Sequence, residues 1–172
     1  MFKIFITSLG FIYILQANEL PQGFTEWERQ NIDIIQSMGS RTVPPQGPVR
    51  NIAEYEPMQG VLIRYPFGIS TSIIKEIAED VVVYCLVSSG LQNSAYNSMN
   101  NNEVDMSNVE FIVGATDSYW TRDYGPWWIT DGNGEFGIVD FTYNRPRPND
   151  NQAPYKVSEY LDVAYYSADL IS

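Results

Sequence analysis

The chain has 172 residues, 44% of them apolar and 14% aromatic, which suits one domain with a packed core and excludes a disordered chain. A formal net charge of −11 makes nucleic acid and anionic membrane poor partners, because like charge repels at long range. There is no histidine and a single cysteine, Cys85, so an internal disulfide and metal sites built from Cys and His clusters are excluded by count, and the commonest general base is missing.

Residues 1–17 read as a secretory signal: Lys3, then an apolar run from Ile4 to Leu15 too short to span a bilayer comfortably, then Ala17 before a cut. The expectation is an exported protein with no membrane contact after cleavage. Residues 18–42 form an N-terminal segment, within which Phe24 to Met38 has partly helical spacing at Trp27, Ile34, Ile35 and Met38. Val43 to Pro48 reads as an extended connector. Val61 to Tyr65 is a strand closed by Pro66, and Ser70 to Glu79 a capped helix with Ile73, Ile74 and Ile77 on one face. Val81 to Val87 is a continuous β-branched run, as expected of a strand covered on both faces. Leu91 to Met99 is a helix poor in helix formers, and Val109 to Val113 another strand. Trp127 to Thr130 and Phe136 to Thr142 are strands joined by the turn Asp131-Gly-Asn-Gly134. Tyr155 to Tyr165 reads as a last helix with no closing element after it, so the chain looks cut. The order of elements implies an α/β fold.

Two stretches carry chemistry. In Trp120-Thr-Arg-Asp-Tyr-Gly-Pro126, a carboxylate beside aromatic walls can bind a planar cation, accepting two parallel N–H bonds from a guanidinium while a ring stacks on its face. Asp123 is the acceptor and Trp120 a wall. The alternative is a local Asp123–Arg122 pair among core aromatics, and composition alone favours it. In Tyr143-Asn-Arg-Pro-Arg-Pro-Asn-Asp150, prolines 146 and 148 are expected to hold Arg145 and Arg147 extended and facing one way, which suits a carboxylate or a backbone carbonyl; the alternative is a solvated basic turn. Two of the ten basic residues of an acidic chain sit here, which weighs against that alternative. Cys85, flanked by apolar residues, reads as a small core hydrophobe rather than a nucleophile.

Three segments, Glu54-Tyr-Glu-Pro-Met-Gln-Gly-Val-Leu-Ile-Arg-Tyr-Pro66, Ser118 to Pro126, and Ile138-Val-Asp-Phe-Thr-Tyr-Asn-Arg-Pro-Arg-Pro-Asn-Asp150, together resemble the bacterial peptidylarginine deiminases, grouped with the agmatine deiminases in the pentein superfamily. The resemblance runs over residues 43–172. It implies a partial α/β propeller, about two of five ββαβ-type units, truncated at the C-terminus. It implies hydrolysis of a guanidinium to a ureido group with release of ammonia, using a cysteine thiolate, a proton-transferring histidine and two carboxylates, with no metal or organic cofactor. Carried over by motif, Asp123 is the first guanidinium-binding carboxylate, Trp120 its wall, and Arg145 and Arg147 the pair that reads the carboxylate or backbone end of an arginine-containing peptide or protein. The family's histidine, second carboxylate and cysteine lie in later units, so the chain is expected to be inactive alone. The alternatives are an agmatine deiminase, on the route to putrescine, a non-catalytic module for arginine or arginine-ended peptides, and an aromatic-rich domain that recognises, for instance, sugar.

Overall fold

A computed structural model describes residues 23–168; the signal-like segment 1–17 lies outside the described residues. The partly helical stretch resolves into two short helices, α1 (Glu26–Gln30) and α2 (Asp33–Met38). Thr25 and Glu28 set the start of α1 by a capping box: the Thr25 hydroxyl accepts from the Glu28 amide, and Glu28 Oε2 accepts from the Thr25 amide at 2.7 Å. Further along, the Thr42 amide donates to the Ser167 carbonyl and the Ser167 amide to the Thr42 hydroxyl, both at 3.0 Å, which ties this segment to the end of the described chain. β1 (Arg50–Asn51) follows.

The first unit is a parallel sheet. β2 (Gly60–Arg64), α3 (Thr71–Asp80), β3 (Val82–Val87), α4 (Gln92–Asn100) and β4 (Val109–Val113) alternate, and the strands lie in the order β2-β3-β4. β3 is central, and its side-chain alternation divides the core. Val83 and Cys85 point into a cluster with Ile74, Ala78 and Met99, so the apolar face of α3 covers one side. Tyr84 and Leu86 point into a second cluster with Ile112, Ile138, Ala153 and Val157. A run of β-branched residues is thus buried on both faces, as the sequence predicts.

The second unit has ββαβ connectivity. After the one-turn helix α5 (Thr121–Tyr124) come β5 (Trp127–Thr130), β6 (Phe136–Phe141), the one-turn helix α6 (Pro148–Asn151), α7 (Ala153–Leu161) and β7 (Ala164–Ala168). β5 and β6 are antiparallel, β6 and β7 parallel, and β1 adds to β5. At the hairpin, Asp131 Oδ1 accepts from the Asn133 and Glu135 amides at 2.8 and 3.0 Å, and Gly134 takes φ 82. α7 packs Ala153 and Val157 against both sheets and joins the two units.

Two expectations are corrected here. The helix does not reach Tyr165: Asp162 turns left-handed at φ 52 and ends it at Leu161. The element expected to be lacking is present as β7, where Tyr165 and Tyr166 pair in register with Ile138 and Val139. Aromatic residues favour a pleated, half-buried surface, and here that surface outweighs a helical reading of the same residues.

Tyr165 also reaches a buried acid. Asp140 is 3% exposed; its Oδ2 accepts from the Tyr165 hydroxyl at 2.5 Å, and its Oδ1 has no hydrogen-bond partner. Burial pushes the Asp140 carboxyl up from 3.8 to about 6, against the lowering effect of the Tyr165 bond. The fold therefore favours the neutral acid, whose stabilisation is full below pH ~4 and is lost as pH rises through about 6. Wild type should lose about 3 kcal/mol relative to Asp140→Asn between pH 4 and 8 in urea titrations. Parallel stability profiles for the two chains would contradict this.

Candidate functional site

The segment leaving β4 runs from residue 114 to 126 along the sheet ends, and three polar anchors hold it. Arg64 Nε, at the end of β2, donates to Thr116 Oγ1 at 2.8 Å, and Lys156 Nζ, from α7, donates to the Ala115 carbonyl at 2.9 Å. The third anchor is Asp150 of α6, fully buried. Its Oδ1 accepts from the Asp117 and Ser118 amides at 2.7 and 3.0 Å, and its Oδ2 from the Ser118 hydroxyl at 2.6 Å. Asp117 answers in the opposite direction, accepting from the Asn149 amide and side chain at 2.9 and 2.7 Å. The two motif-bearing segments are therefore bound to each other directly. Burial pushes the Asp150 carboxyl up, opposed by Ser118 and by both amides.

Trp120 caps α5 without a side-chain bond and is half-buried, its ring 4.8 Å from that of Tyr119 and packed on the core cluster. The Asp123 amide donates to the Trp120 carbonyl at 2.9 Å, and the Asp123 side chain is exposed. Gly125 takes φ 89, a conformation that favours glycine, and turns the chain into β5. Arg122 pairs with exposed Glu54 rather than with Asp123. The local Arg122–Asp123 pair that composition favoured is thus not formed.

The Arg-Pro-Arg-Pro stretch is bent, which corrects the extended reading. The Arg147 amide donates to the Arg145 carbonyl at 2.7 Å across Pro146, and Pro148 opens α6 at a position where a missing N–H costs nothing. Strict alternation is lost, yet both guanidiniums reach the same group. Arg147 Nη2 lies 2.7 Å from Glu28 Oε1, and Arg145 Nη1 lies 3.5 Å from Glu28 Oε2. The Arg145 guanidinium also stands 4.3 Å from the Phe24 ring centroid. Glu28 and Arg147 are both buried. Burial pushes the Glu28 carboxyl up, but the Thr25 amide and the Arg147 guanidinium outweigh it and hold it below the usual carboxylate range.

Burial pushes the Tyr143 hydroxyl up; Arg147 and Arg145 lower it, and Asp150 and Asp123 raise it further. The Tyr143 amide donates to Asn151 Oδ1 at 2.8 Å, which fixes the tyrosine beside α6. An open pocket of about 370 Å³ borders Arg147, between Thr25, Trp27 and Glu28 on one side and Asp117, Pro146 and Pro148 on the other. Asp123 and Trp120 do not line it. Cys85 sits far from nucleophilic conditions: it is fully buried in β3, and burial pushes its thiol up to about 12.

Sequence reasoning misses Glu28 altogether, and gives no role to Asp150 or Ser118 although both lie inside the motifs. Thr25-x-x-Glu28 carries a capping-box signature. Nothing in the sequence links Glu28 to Arg145, 117 residues away, or to Arg147 beyond it.

A solved structure of C. jejuni agmatine deiminase matches 72% of this chain and 40% of that chain at 22% identity, with a TM-score of 0.58. The agmatine deiminase of Enterococcus faecalis matches 75% of this chain and 41% of its own at 17% identity, again with a TM-score of 0.58. An "Agmatine deiminase" of Ectopseudomonas mendocina is 31% identical over 75 residues, 43% of this chain and 19% of that protein. The α/β units described above are thus part of a pentein fold, and the chain spans well under half the length of these relatives. The family model described as Porphyromonas-type peptidyl-arginine deiminase matches residues 50–172, and the chain belongs to that family.

Asp150→Ala should strand two amides and a hydroxyl and cost about 3 kcal/mol or more, whereas Asp150→Asn keeps an acceptor and should cost about 1 kcal/mol. Urea unfolding monitored by tryptophan fluorescence measures both. Equal losses would mean that the donors find other partners.

Proposed function

We propose that this chain provides the substrate-holding part of a peptidyl-arginine deiminase acting on arginine with a free carboxylate, C-terminal in a peptide. Asp123 accepts two N–H bonds from the guanidinium, and Trp120 supports its face. Arg145 and Arg147 take the carboxylate. One observation carries this reading: both arginines already lie on a single carboxylate, that of Glu28. A pair that accommodates an acid from its own chain has the spacing and charge to accommodate a ligand's.

The reaction converts the guanidinium carbon to a urea, with water as the oxygen donor and ammonia leaving. It needs an accessible nucleophile and a proton carrier. This sequence contains no histidine, and its only thiol is buried and protonated. The chain's own residues therefore bind and orient, and the bond-breaking groups belong to residues outside this sequence. Purified chain should form no citrulline from an arginine-ended peptide above a boiled control.

The second reading, agmatine as ligand, is favoured by the 31% identity to the mendocina enzyme over 75 residues. Agmatine carries no carboxylate and would leave the arginine pair on Glu28. Calorimetry with an arginine-ended peptide, its C-terminal amide and agmatine separates the two. The free acid should bind roughly tenfold or more tightly than either other ligand, a difference of about 1.4 kcal/mol. Asp123→Asn should weaken all three. Agmatine binding as tightly as the acid would favour the second reading.

A further inference from the structure

We propose that Glu28 is a tethered surrogate for the ligand's carboxylate, which a ligand ending in a free acid displaces from the Arg145–Arg147 pair. This rests on the role proposed above for the arginine pair. Three observations support it.

Glu28 holds the pair closely but imperfectly. Its Oε1 lies 2.7 Å from Arg147 Nη2 yet has no hydrogen-bond partner, so the contact is close without being aligned. Its Oε2 reaches Arg145 only at 3.5 Å and is committed to the Thr25 amide at 2.7 Å. A carboxylate free of the helix can meet a guanidinium edge-on with two parallel bonds, a geometry that the capping box denies to Glu28.

The tether is light. α1 has five residues, and Glu28 is its only buried one. Trp27 beside it is half-exposed and lines the pocket that borders Arg147. A ligand can approach Arg147 through that pocket, and displacing Glu28 moves little apolar surface into water.

The charge balance decides what can displace Glu28. Arg147 is buried, and a buried guanidinium left without a counter-charge is strongly unfavourable. A ligand with a neutral end cannot release Glu28 without creating that state. A ligand with a carboxylate exchanges one acid for another and gains the aligned bonds. Because Glu28 is covalently held near the pair, it competes at a high effective concentration and lowers the affinity of every anion that takes its place.

Glu28→Gln tests this, because glutamine at the same position completes a capping box while removing only the charge. The probes are acetyl-glycyl-arginine and its C-terminal amide, titrated calorimetrically into the whole chain. The substitution should tighten binding of the acid ~10-fold or more and leave the amide within about twofold. An unchanged or weaker affinity for the acid, with wild type still preferring it to the amide, would overturn the surrogate role and leave the proposed function standing. If neither chain prefers the acid, both readings fail. A second measurement needs no variant. Cleavage after Glu28 by a glutamate-specific protease, which hydrolyses neither probe, should accelerate several-fold with the acid and not with the amide, since displacing Glu28 frees α1. Equal cleavage rates with both probes at saturation would overturn the proposal.

Discussion

The Asp150 carboxylate, sealed from solvent, takes one hydrogen bond from each of three donors at the start of the Ser118–Pro126 segment: the Asp117 amide, the Ser118 amide and the Ser118 hydroxyl. The relative placement of the two motif segments depends on it. Both segments leave their strands as irregular chain, and neither has a ladder of its own to hold it in place. A buried acid without donors would be strongly unfavourable, so its three bonds are close to obligatory, and that obligation makes the geometry definite. The return bonds from Asn149 to Asp117 close the clamp from the other side.

The clamp works because α6 and α7 are themselves fixed. α7 lies on the Leu86–Ile112–Ile138 cluster, where the inner faces of both sheets meet. β3 makes this possible, since its alternating residues serve two cores at once: Val83 and Cys85 against α3, Tyr84 and Leu86 against α7. Lys156 of α7 reaches the Ala115 carbonyl, and burial lowers its pKa, with Asp117 and Asp150 opposing. Packing thus sets the helix, the helix sets Asp150, and Asp150 sets the loop that carries Trp120 and Asp123.

The strands were legible in the sequence because their signals are local. Val82–Val87 is a β-branched run, and Asp131-Gly-Asn-Gly134 is a turn whose side chain and glycine do what those residues do in isolation. The features that escaped depend on groups distant in the chain. β7 forms because β6 offers an edge and Asp140 a partner for Tyr165, and neither fact is visible within residues 155–168. The Arg-Pro-Arg-Pro bend follows from α6 needing to start at Pro148 so that Asp150 can reach Ser118. Proline restricts φ in both the extended and the bent form, so it does not decide between them. Asp123, Trp120, Arg145 and Arg147 could be picked out by residue type and spacing. Glu28 could not, because an exposed-looking glutamate in a short helix gives no sign of its partners.

The three buried acids among the described residues are answered in three ways, and the contrast explains why one of them is suited to exchange. Asp150 is matched by neutral donors on both oxygens, and its surroundings leave no route for a competitor. Asp140 has a single donor and, among the described residues, no facing cation in an ion pair, and burial raises its carboxyl toward the neutral form. Glu28 is held toward the charged form by the Thr25 amide and by the two guanidiniums that face it, yet its oxygen nearest Arg147 has no aligned bond. It is therefore the one acid of the three that faces guanidiniums, with one oxygen bonded to the Thr25 amide and the other held to Arg147 by charge alone. Charge is a property that another carboxylate can supply equally well, and directional bonds to Arg147 are what a freely oriented carboxylate would add. In a chain with a net charge of −11, a buried arginine beside an open pocket has to be neutralised by something, and the identity of that group is what the site can exchange.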